Sequence, residues 1–172
     1  MEQEITTTKD KLFKLIGLAE NAVLLIIAVG ILLRYMEVAE GKPLLQIGLA
    51  GTAIFWFILA YKRREVFSSQ QEANEFGPYG FTEMLAWIIL PKILWIGSAV
   101  SMFGVFSHVT NFESDGNIRI MMIGGLSVSI CLLILMILVL SGVKKLNMLV
   151  PVLIRAVTIL IVISYIIFGM NT

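Results

Sequence analysis

The chain has 172 residues, of which 58% are hydrophobic and only 15% charged, with a net charge of +1 and a mean hydropathy of +0.92. A soluble domain of this size cannot hide that much apolar surface, whereas a lipid bilayer removes the need to hide it. The near-zero charge and scattered basic residues exclude a nucleic-acid-binding face, and a single cysteine, Cys131, excludes an internal disulfide framework or a CxxC metal site.

Crossing about 30 Å of hydrocarbon takes about 20 largely apolar residues at 1.5 Å rise. Five stretches qualify. In chain order the sequence predicts helices over 12–35, 44–61, 85–106, 120–140 and 149–170. The fold class is therefore an all-α polytopic membrane bundle in which residues 1–172 form a single integral membrane domain. The first apolar run follows Lys9, Lys11 and Lys14 as a signal peptide would, but Arg34-Tyr35-Met36-Glu37 and further apolar segments succeed it in place of a small-residue cleavage site. It reads as a retained span. The long connection 62–84 contains a polar stretch over 68–75 and a turn signal, Gly77-Pro78-Tyr79-Gly80, with helix resuming at Thr82-Glu83. Pro91 is expected to bend a continuous helix whose 81–90 portion lies partly along the interface, and Pro151 to mark a first helical turn.

Cytoplasmic loops retain Lys and Arg during insertion. Ten of the thirteen basic residues fall on one side of the proposed threading, and Arg34, Lys42 and Arg119 on the other. This places the N-terminus and the 62–84 loop in the cytoplasm and the C-terminus outside. Trp56 and Tyr61 toward the inside, with Tyr35, Phe106, Tyr165 and Phe168 toward the outside, read as an interfacial aromatic belt.

The segment Leu44-Leu45-Gln46-Ile47-Gly48-Leu49-Ala50-Gly51 matches Ile120-Met121-Met122-Ile123-Gly124-Gly125-Leu126-Ser127, and Gly30 and Gly104 lie near the ends of the helices that precede them. The pattern suggests one helical hairpin used twice, with the fifth helix as a half unit. Chance similarity between apolar segments is the competing reading. Two such units would run parallel, unlike the inverted repeats of many transporters.

Ionisable residues inside a membrane helix face protein, water or a partner. Glu20, Lys92 and Arg155 each lie about two turns into a helix rising from the same side, so they share a depth. Together with Asn21 they form a candidate intramembrane polar cluster in which Glu20 pairs with Lys92 or Arg155. The competing reading has both cations extending to lipid phosphates. Small residues at four-residue spacing, Gly48 with Thr52, Gly97 with Ser101 and Gly125 with Ser129, are candidate helix-packing positions. Gln46 and His108 read as solvated residues near the outer surface. No HExxH, GxSxG, Walker A or strand-associated GxGxxG sequence occurs, and neither a metal site nor a cofactor is expected.

Residues 32–48, Leu-Leu-Arg34-Tyr-Met-Glu-Val-Ala-Glu-Gly-Lys-Pro-Leu-Leu-Gln-Ile47-Gly48, resemble the signature hairpin of the gliding-motility and type IX secretion motor transmembrane subunit family. In that family a basic residue ends the first helix, a short periplasmic turn follows, and the second helix opens with an Ile-Gly step. Arg34 and Gly48 match. The family's His-Trp-Pro-Gly turn is replaced by Glu37-Val38-Ala39-Glu40, and its membrane glutamate by Thr52, so the proton-driven motor role does not carry over. The resemblance implies the inner membrane of a Bacteroidota-type bacterium.

Two functional readings follow. The first is a non-catalytic structural or accessory subunit of an envelope membrane complex, in contact with the bilayer and with other membrane subunits. The alternative is a small transporter or channel with a polar path near Glu20, Lys92 and Arg155.

Overall fold

In hydrocarbon every backbone N–H and C=O must be satisfied within the chain, which restricts long apolar segments to helices. The computed structural model describes residues 2–61, 81–110, 115–141 and 149–169, and among these the architecture is entirely helical. Helix α1 is Glu2–Tyr35 and α2 is Gly41–Ala60. The third helix, α3, is one unbroken run: an α-helical turn at Phe81–Met84, a π-helical turn at Leu85–Ile89, and α-helix over Leu90–Val109. Helix α4 is Asp115–Leu140 and α5 is Val150–Gly169. Each is long and apolar enough to cross a membrane, which makes the chain a multi-pass helical bundle.

Four helices begin earlier than the apolar pattern suggests, α1 at Glu2 instead of Leu12 and the next three for local reasons. Gly41 to Pro43, expected in a loop, form the first turn of α2, where a proline removes no hydrogen bond because first-turn N–H groups have no intrahelical acceptor. Helix α4 starts at Asp115 and α3 runs on to Val109, so the connection expected over 107–119 shrinks. Thr110 closes α3 by donating its N–H to Phe106 and its hydroxyl to the Ser107 carbonyl, and the Ser107 hydroxyl donates to Asn117 Oδ1 of α4 at 2.8 Å. Residues 81–84, assigned above to the 62–84 loop, are helical; the remainder of that loop lies outside the described residues.

Pro91 carries no N–H for the Trp87 carbonyl, and its ring pushes that carbonyl away. The chain absorbs this by widening the preceding turn, with the Leu90 N–H reaching back five residues to Leu85. The stretch expected along the interface is packed instead: Ala86, Trp87 and Leu90 belong to the buried core. Pro151 sits in the first turn of α5.

Packing runs from α1 to α2 to α3 to α4, and α5 lies against α3 and α4. Helix α3 is the hub, with 61% of its spanning window buried against 11% for α1. Tyr35, Tyr61, Tyr165 and Phe168 are exposed near helix ends, as an interfacial belt requires. Trp56 departs from that expectation, since it is 3% exposed in the core. Gln46 and His108 are half-buried.

The α1–α2 connection is a Schellman turn, with Val38 N–H bonded to Leu33 O at 2.9 Å and Glu37 N–H to Arg34 O at 3.1 Å. Glu37 occupies the left-handed position with φ 59°, which disfavours any residue with a Cβ. Gly41 follows at close quarters: a Cβ there would lie 2.5 Å from Arg34 N and 2.9 Å from Leu33 C, both backbone atoms that cannot move aside. Glu37→Gly is therefore expected to raise stability in detergent by about 1 kcal/mol, and Gly41→Ala to lower it. Thermal unfolding followed by circular dichroism checks both signs.

Candidate functional site

Glu20 lies about five residues, or about 8 Å, inside the membrane-spanning part of α1 that begins at Leu15. A carboxylate at that depth needs compensation, because an unpaired charge there costs several kcal/mol. The bundle provides it from three other helices. Arg155 of α5 grips the carboxylate in bidentate fashion, Nε donating to Oε1 at 2.6 Å and Nη2 to Oε2 at 2.9 Å. Trp56 of α2 donates its indole N–H to the same Oε1 at 2.9 Å. Trp95 of α3 lies under the guanidinium, 5.2 Å from its ring centroid to Arg155 Cζ, and meets Trp56 edge to face at 6.3 Å.

The result is a closed clasp. Three N–H donors meet the two carboxylate oxygens, and the third Arg155 nitrogen, Nη1, donates to the Pro151 carbonyl one turn earlier on α5 at 2.9 Å. The Glu20 side chain is 3% exposed and that of Arg155 26%. Helices α1 and α5 are remote in sequence, and this pair joins them across α2 and α3.

Of the residues proposed from shared depth, the structure brings together Glu20 and Arg155 but not Asn21 or Lys92, which are exposed. Lys92 lies one turn before Trp95 on α3, yet its side chain is exposed while the Trp95 ring is buried beneath Arg155. Sequence reasoning missed Trp56 and Trp95. Trp56 stands near the same end of α2 as Glu20 does of α1, and a tryptophan N–H at the depth of a buried carboxylate is the signal that could have found it.

The small-residue positions serve packing within the chain. Gly48 faces Ile27 of α1, and Thr52 is fully buried with its hydroxyl on the Gly48 carbonyl at 2.9 Å. Gly97 and Ser101 face α4 at Val128 and Gly124. Gly125 faces Ile163 of α5, and the Ser129 hydroxyl donates to the Gly125 carbonyl. The crossing of α3 and α4 is tight enough to leave the Ser101 hydroxyl buried without a hydrogen-bond partner among the described residues.

Comparison of the chain with protein-family models, with curated proteins and with solved structures returned no match.

The clasp predicts a strongly non-additive double-mutant cycle. Glu20→Gln leaves the half-buried Arg155 against Trp95 without its counter-charge and is expected to cost about 3 kcal/mol, whereas Glu20→Met with Arg155→Met removes both charges and is expected to stay within about 1 kcal/mol of the parent chain. Unfolding midpoints in detergent for the single and double variants measure the coupling.

Proposed function

We propose that the chain is a non-catalytic, multi-pass scaffold of a bacterial inner membrane, acting as a structural or accessory subunit of an envelope complex. One observation carries this reading: the charged groups that approach each other inside the bundle are consumed in holding helices together. Glu20 accepts from Arg155 twice and from Trp56 once, so the carboxylate that a relay would use is already engaged. Lys92 and Asn21, which a polar path would recruit, are exposed. The distribution of Lys and Arg supports a cytoplasmic N-terminus, with the clasp in the cytoplasmic half of the bilayer.

On this reading the outer surface is the working surface. Large apolar side chains on α1, α4 and α5, among them Leu25, Ile31, Leu126, Ile137 and Ile161, are exposed and meet lipid or neighbouring subunits.

The expected outcome separates the scaffold from a transporter. Gently solubilised from native membranes, the chain migrates in a particle larger than its own 19.1 kDa and its detergent shell, and Glu20→Met with Arg155→Met leaves that particle intact. A proton or ion flux in proteoliposomes that vanishes in Glu20→Gln, with the variant still folded, would overturn the scaffold and favour transport. Reporter fusions within 62–80 test the orientation: a cytoplasmic signal is expected, and an external one reverses it.

A further inference from the structure

The two hairpins, α1–α2 and α3–α4, are built by different residues yet cross at the same places. In the first hairpin, a Cβ on Gly30 would lie 2.8 Å from Leu45 N, one on Gly48 would lie 2.5 Å from Ile27 Cγ1, and one on Gly51 would lie 3.1 Å from Val23 Cγ1. In the second, a Cβ on Gly104 would lie 2.8 Å from Met121 N, one on Gly124 would lie 2.7 Å from Ser101 N, and one on Gly97 would lie 3.5 Å from Ser127 Cβ. The pairs Gly30–Leu45, Ile27–Gly48 and Val23–Gly51 thus become Gly104–Met121, Ser101–Gly124 and Gly97–Ser127. Every first-helix residue is displaced along the chain by one constant offset. Every second-helix residue is displaced by an offset two residues larger, the difference falling in the turn.

We infer that the chain is a tandem duplication of one helical hairpin, the two units running parallel, with α5 added against the second. One matched contact carries the offset through the neighbouring turns of regular helices, so what tells against chance likeness is that glycine meets the facing backbone at equivalent places in both units. Helix sequences that merely share glycines cross at unrelated registers; here the same backbone-to-backbone approach recurs at Gly30 and Gly104 and again at Gly48 and Gly124. The third pair has exchanged sides: the small residue is Gly51 on the second helix of one unit and Gly97 on the first helix of the other, opposite Val23 and Ser127 respectively.

The repeat also sets the clasp apart. At the position equivalent to Glu20 the second unit carries Leu94, fully buried, and at the position equivalent to Trp56 it carries Leu132. The hairpin frame accommodates an apolar version of the site, and the polar pair that fastens α5 to α1 belongs to the first unit alone.

The exchanged pair supplies the test. In the full chain, Gly97→Val places a branched side chain where a bare Cβ would lie 3.0 Å from Val128 Cγ2, and its unfolding midpoint in detergent is expected to fall. Adding Ser127→Gly recreates the Val23–Gly51 arrangement and is expected to recover part of that loss, the remainder being the contact with Val128. Adding Ser129→Gly, at a position outside the repeat pair, is expected to recover none. The mirror experiment in the first unit keeps the test decisive if Gly97→Val does not fold: Gly51→Ser is expected to lower the midpoint and Val23→Gly to restore it. Recovery by Ser127→Gly no greater than by Ser129→Gly, or failure of Val23→Gly to rescue Gly51→Ser, overturns the duplication.

Discussion

Lipid tails are as apolar as leucine, so burying one helix against another in a bilayer gains little from the hydrophobic effect that organises soluble cores. Association has to come from close van der Waals contact and from polar groups that hydrocarbon will not solvate. This bundle uses the two devices in different places. Along α1–α2 and α3–α4 the helices approach until backbone meets backbone at Gly30, Gly48, Gly104 and Gly124. Between α1 and α5, far apart in sequence, the connection is electrostatic, through Glu20 and Arg155.

That division has a structural logic. A hairpin brings its two helices together through a short turn, so the loop-closure cost of their contact is small and small residues suffice to secure it. Helix α5 follows all four others in sequence, and its placement must be selected among several apolar faces of similar chemistry. A carboxylate and a guanidinium that can be neutralised only by each other discriminate strongly between those faces, since every wrong placement leaves a charge unpaired in hydrocarbon. The tryptophans add direction. Trp56 N–H fixes one oxygen of Glu20, and the face of Trp95 fixes the plane of the guanidinium.

The sequence disclosed what depends on length and on position along a helix. Five apolar runs were legible because hydrocarbon thickness sets their length, and the common depth of Glu20 and Arg155 was legible because rise per residue is constant. Rotation about the helix axis was not, because α3 is apolar on almost every side and no polar face announces which way Lys92 turns. Helix starts at Gly41 and Asp115 were missed because Pro43 and the polar residues after Asp115 read as loop, although a first turn tolerates both. Trp56 was placed in the interfacial belt because aromatic residues near span ends usually belong there; its burial follows from a carboxylate on another helix, legible only by comparing depths between helices.

The shared register clarifies what it means that one hairpin alone carries the polar centre. Parallel repetition gives each hairpin an equivalent site, filled in one unit by Glu20 and Trp56 and in the other by Leu94 and Leu132. If both sites carried a carboxylate, two acids would need two cations, and α5 would face two competing acceptors. With one site polar and the other apolar, Arg155 has a single partner and α5 a single seat. Asymmetry laid over a repeated frame thus does for helix order what a buried polar residue does for register in a coiled coil: it removes the degeneracy that repetition creates.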